Sequence, residues 1–87
     1  MISPADGEGG PALGAARVGA ELRAARNRLG WALPDVAATL RIRLPYLQAI
    51  EDGRVADLPG NTYAVGFLRT YASALGLDAA EAARRFR

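Results

Sequence analysis

The chain contains no cysteine and no histidine. The first absence removes any disulfide framework and any thiol nucleophile. The second removes the commonest metal ligand and the side chain best suited to proton transfer near neutral pH. Lysine is missing too, so all eleven basic residues are arginine. No apolar run approaches the roughly 20 residues that span a bilayer, and the N-terminus lacks the basic-then-apolar pattern of a secretory signal. Glu51 and Asp52 are adjacent, which on a helix points them about 100° apart, with no Cys or His beside them. GEGG at residues 7–10 follows no strand pattern, so it is not a nucleotide loop. No nucleophile–base pair and no metal-ligand spacing occurs, so neither catalysis, nor a metal, nor a cofactor is expected.

What remains suits one small helical domain. Hydrophobic residues make up 51% of the 87 residues, enough for a single core near the lower size limit. The net charge is +2 but unevenly placed. Residues 1–16 hold Asp6 and Glu8 and no base, whereas residues 17–87 hold eleven Arg against the other seven of the nine acids. That surplus is mild for a dedicated nucleic-acid binder. With no disulfides and no signal pattern, a cytoplasmic location is expected.

Residues 1–16, rich in Gly and Pro and without periodicity, read as a disordered arm, and residues 17–87 as the folded domain. Val18, Leu22, Ala25 and Leu29 fall on one stripe and predict a helix over residues 17–29, stopped by Gly30. A short helix over 33–40 tolerates Pro34 in its first turn, but Ala32 stands where a capping Ser or Thr is favoured. Arg41, Ile42 and Arg43 form a turn, with Ile42 inward. A third helix covers 44–52 and ends at Gly53. Leu58 anchors the following loop, a fourth helix covers 61–75, and Asp78 with Glu81 opens a fifth that runs to residue 86. The expected class is all-α, a five-helix bundle containing a helix-turn-helix. Its marks are small Ala37, buried Ile42 in the turn, and Leu47 and Ile50 on the next helix.

Reading DNA needs more than that fold. The third helix, LPYLQAIED, offers base edges only Gln48 and Tyr46. Arg41 and Arg43 could reach phosphates, which position a protein without specifying sequence, and Glu51 and Asp52 would repel them if outward. DNA binding through Arg41, Arg43, Tyr46 and Gln48 is therefore the secondary expectation.

The fourth helix carries a different signal, YAVGFLRTY. On a wheel Tyr63 stands at 0°, Phe67 at about 40° and Tyr71 at about 80°, while Ala64, Leu75 and Leu68 cluster between about 100° and 140°. Tyr71 falls within the core arc, and Tyr63 and Phe67 at its edge. Gly66, at about 300°, and Thr70, at about 340°, are too small to cover those rings. Two uncovered rings suggest a docking surface. Arg69, at about 240°, is a solvated residue able to pair with an acidic partner. Trp31 reads as a lid over the core, and Arg84, Arg85 and Arg87 as a solvated basic cluster.

Three segments, GAELRAAR (19–26), IRLPYLQAIEDG (42–53) and above all LPGNTYAVGFLRTYASALGLD (58–78), resemble the N-terminal cytoplasmic domain of the RodZ family. The resemblance implies a helix-turn-helix of the Cro, XRE or lambda-repressor kind. It further implies that the domain binds the actin-like MreB filament of the cell-elongation machinery rather than DNA, through aromatics of the fourth helix. Tyr63 and Phe67 match those positions, with Gly66, Arg69 and Thr70 around them. Val65 departs from the family, which often has Arg there, and Ala32 replaces its usual Ser. The family continues into a membrane span and a periplasmic domain. Neither lies within these residues, so membrane attachment, at the inner face, is expected only through a segment outside them. The alternative remains an XRE-type transcriptional regulator.

Overall fold

The computed structural model of the chain describes residues 10–86. Among them all regular structure is helical: α1 (Gly10–Leu29), α2 (Leu33–Leu40), α3 (Leu44–Asp52), α4 (Asn61–Ala74) and α5 (Ala79–Phe86), with a 3₁₀ turn at Val55–Asp57. α1 packs on α3 and α5, α2 on α3, and α4 on α5. The inner faces of Val18, Leu22, Leu47, Ile50 and Leu68 meet with almost no exposed surface.

The first helix begins at Gly10, not at residue 17. Residues 10–16 therefore do not form the expected arm, and residues 1–9 lie outside the described residues. The small side chains behind that expectation are what close packing uses. Ala15 is fully buried, and a Cβ added at Gly14 would lie 2.7 Å from the Arg85 carbonyl oxygen of α5. Gly19 serves the same purpose one turn on. Its missing Cβ is the space into which the backbone carbonyls of Ile50 and Glu51 fit, so α1 and α3 cross nearly backbone to backbone.

The second and third helices have the expected bounds. Pro34 and Pro45 occupy their first turns, and neither Ala32 nor Arg43 supplies a side-chain cap. Their turn is tight because Arg41 takes the left-handed conformation, φ 59°, which a residue with a Cβ adopts at a cost of about 1–2 kcal/mol. That geometry aims the Ile42 N–H at the Ala37 carbonyl, 3.1 Å away, and buries the Ile42 side chain. Leu58 is buried as the loop anchor. α4 stops at Ala74; Gly76 is left-handed and the Leu77 N–H reaches the Ala72 carbonyl at 2.9 Å. Asp78 caps α5 by accepting the Glu81 N–H at 3.0 Å.

Two hydrophobic residues depart from expectation. Leu29, the last residue of α1, is 47% exposed. Trp31 is 42% exposed and is not a lid over the core. Its carbonyl accepts a hydrogen bond from Arg26 Nη1 at 3.0 Å, while its ring borders a surface groove with Val36 and Leu40.

Candidate interaction site on the fourth helix

α4 presents opposite faces to the core and to solvent. Ala64, Leu68, Tyr71 and Ala72 are buried, so Tyr71 is a core residue as its wheel position predicts. Tyr63 is 62% exposed, the most exposed large hydrophobic residue described. Phe67 is only half-exposed and packs against the core margin, which corrects the expectation that both rings stand uncovered. The covering group comes from another helix, out of sight of a single-helix wheel. The Tyr46 ring of α3 stacks on Phe67, with centroids 5.6 Å apart and planes 16° from parallel. Tyr63 leans on the other ring at 6.1 Å and 35°.

Tyr46 therefore belongs to the aromatic row, with its ring partly buried against Phe67. Gln48, Arg41 and Arg43 are exposed. Beside the row runs a shallow groove of about 300 Å³. Leu40, Arg41 and Ile42 form one wall; Thr62, Tyr63, Gly66, Phe67 and Thr70 form the other. Four of the five α4 residues singled out from the sequence thus share one surface. Arg69 is exposed without lining the groove, and it makes no ion pair among the described residues.

Gly66 differs from Gly19. It sits mid-helix, and an added Cβ would meet no atom within 4 Å. Glycine costs a helix interior roughly 0.5–1 kcal/mol relative to alanine, and packing among the described residues does not call for it there.

The two acids of α3 divide, Glu51 inward and Asp52 outward. Glu51 is buried and cannot repel phosphate from the surface. Arg26 grips it with Nε to Oε2 at 2.8 Å and Nη2 to Oε1 at 3.0 Å, Arg23 Nε adds a 3.2 Å bond, and the Tyr71 hydroxyl donates to Oε2. Burial alone would raise the Glu51 pKa; the hydrogen bonds from Arg26, Tyr71 and Arg23 outweigh it and hold the carboxyl below its ordinary value. Burial, with Glu51 beside it, pushes the Tyr71 phenol up. Exposed Asp52 pairs with Arg23 and Arg54. A wheel of α3 carries the missed signal. Glu51 falls at about 40° when Leu47 is at 0° and Ile50 at about 300°, inside the buried arc.

A helix-turn-helix domain family matches residues 21–82. The chain belongs to it. This helix-turn-helix chain is also similar to the protein named uncharacterized membrane protein YmfM of Bacillus subtilis strain 168, with 43% identity over 47 residues. Those residues are 54% of this chain and 16% of that protein, so the chain spans a small part of that relative's length. No solved structure matches the helix-turn-helix chain at a significant level.

Proposed function

We propose that this domain is a cytoplasmic adaptor of the bacterial cell-elongation machinery. It binds an MreB-type actin-like filament through Tyr63 and Phe67, with Gly66, Thr70 and Arg69 shaping the contact. The observation that carries this reading is the 62% exposure of Tyr63 beside a mid-helix glycine with open space above it. An exposed aromatic ring supplies large apolar area at little entropic cost, and such rings dominate the energetics of protein interfaces. A glycine next to it lets a partner approach the α4 backbone closely. The similarity to a protein named as a membrane protein suits a domain held at the inner membrane face by a segment outside these residues.

The competing reading, a transcriptional regulator using Arg41, Arg43, Tyr46 and Gln48, has less support. Burial of Glu51 and pairing of Asp52 remove repulsion of phosphate but add no base-reading group. With the Tyr46 ring stacked on Phe67, Gln48 is the one exposed polar side chain of α3 suited to a base edge. Co-sedimentation of the purified domain with MreB-type filaments, wild type against Tyr63→Ala, separates the two. The adaptor reading expects pelleting that drops at least tenfold in the variant, with no tight sequence-specific duplex binding at physiological salt. Equal pelleting of both proteins, or none of either, refutes it.

A further inference from the structure

The α4 groove is asymmetric in charge. Arg41 lines it, no carboxylate of the described residues does, and neither Arg41 nor neighbouring Arg43 makes an ion pair among those residues. Most of the described carboxylates are occupied elsewhere: Glu21 by Arg85, Glu51 by Arg26 and Arg23, Asp52 and Asp57 by Arg54, Glu81 by Arg84. The opposite wall adds positive potential. α4 begins at Asn61 behind Gly60, which supplies no side-chain cap. The N–H groups of Asn61, Thr62 and Tyr63 find no acceptor among the described residues, whereas that of Ala64 reaches the Gly60 carbonyl at 2.8 Å. Open amides in a first turn carry the positive end of the helix dipole, and Thr62 and Tyr63 both line the groove. Ile42 on one wall and Phe67 on the other give the groove its apolar surface.

We propose that this groove receives an apolar side chain of a partner protein flanked by carboxylates. The apolar group lies against Phe67 and Tyr63, one carboxylate pairs with Arg41, and another meets the open first turn of α4. The inference rests on the adaptor reading and names the chemistry of that partner's surface. It also gives the left-handed turn residue a role, since Arg41 stands at the groove wall because of that backbone geometry. Single-stranded nucleic acid would bring anionic charge too, but it tracks a basic groove with successive stacking rings, and this groove holds one arginine, Arg41, and one largely exposed ring, Tyr63.

The test compares wild type, Tyr63→Ala, Arg41→Asn and Arg41→Lys in co-sedimentation with purified MreB-type filaments at 50 and 300 mM salt (about 14 and 6 Å of screening length). Asn tolerates the left-handed conformation, and circular-dichroism melts verify that each variant is folded. The proposal expects Arg41→Asn to bind roughly five- to tenfold more weakly at low salt, with a flatter salt dependence than wild type, and Arg41→Lys to recover most of the loss. If Tyr63→Ala abolishes binding while folded Arg41→Asn binds like wild type at both salts, the charge inference falls and the adaptor reading stands. If Tyr63→Ala also binds like wild type, or wild type itself does not pellet, both fall. Tight oligonucleotide binding that Arg41→Asn removes and Tyr63→Ala spares overturns both in favour of nucleic acid.

Discussion

The Tyr71 hydroxyl of α4 donates a hydrogen bond to the buried Glu51 carboxylate of α3. Arg26 and Arg23 of α1 hold the same carboxylate, so one charged group joins three helices. With α1 and α3 in contact through Gly19, the network fixes their rotation about one another and with it the position of Tyr46 beneath Phe67.

Removing one member of a buried ion pair strands the other, at a cost of about 3–5 kcal/mol. Glu51→Ala leaves Arg26 and the Tyr71 hydroxyl without their acceptor, and equilibrium denaturation should show a loss near the lower end of that range because Arg23 is partly exposed. Tyr71→Phe keeps the ring and loses one donor, for about 1–2 kcal/mol. The pH dependence follows from the signs. The folded-state Glu51 pKa is lowered, so its stabilisation is present above the ordinary carboxylate value of about 4.3 and is lost as pH falls through the folded value. The Tyr71 pKa is raised, so stability also declines as pH climbs above about 10, where unfolded tyrosine ionises. Urea unfolding from pH 7 to 3 should slope less steeply for Glu51→Gln than for wild type.

Periodicity and punctuation made much of this fold legible. The ends of α2 and α3 follow from Pro34, Pro45 and Gly53, and the C-terminal turn of α4 from Gly76 and Leu77, because each depends on local backbone chemistry. Tertiary packing decided what was missed. Gly14 and Ala15 look like linker residues until α5 is placed against them. Phe67 looks uncovered until Tyr46 arrives from α3. The orientation of Glu51 stayed open for a different reason: its position on the wheel points inward, but an acid is placed outside by default, and its partners Arg23 and Arg26 lie on another helix.

Tyr63 and Phe67 should part company on truncation. Tyr63→Ala removes a ring that is 62% exposed, and its thermal midpoint should match wild type within the roughly 0.5 kcal/mol typical of surface changes. Phe67→Ala removes a stacked, half-buried ring and should cost about 2 kcal/mol, below the 3–5 of a fully buried phenylalanine. Filament binding should fall in both, so Tyr63→Ala is the cleaner probe of contact. A Tyr63→Ala domain that melts like Phe67→Ala would mean that the exposed ring carries unrecognised stability.

Ala32 leaves the start of α2 without a side-chain cap, in an extended conformation at φ −84° and ψ 136° that a capping serine adopts. Ala32→Ser should therefore raise stability by about 1 kcal/mol, read as a shift in the denaturation midpoint at constant m-value. Ala32 is exposed and does not line the α4 groove, so partner binding should not change. An unchanged midpoint would mean that the serine hydroxyl fails to share the Asp35 N–H, which already reaches the Ala32 carbonyl at 3.1 Å, Pro34 having no N–H to offer.

Two glycine-to-alanine substitutions should move stability in opposite directions. At Gly19 the new methyl meets the backbone carbonyls of Ile50 and Glu51, which cannot rotate away as a side chain would. α1 and α3 must separate, at a cost of about 1–3 kcal/mol or more. At Gly66 the methyl enters open space, and the helix gains roughly 0.5–1 kcal/mol. If a partner's surface approaches the α4 backbone there, that gain should come with weaker binding, since the methyl stands between the two. Calorimetric melting and filament co-sedimentation of Gly66→Ala read the two effects separately. A more stable variant that also binds as tightly as wild type would place the contact away from Gly66, and Tyr63 would then have to engage its partner from the far side of the ring.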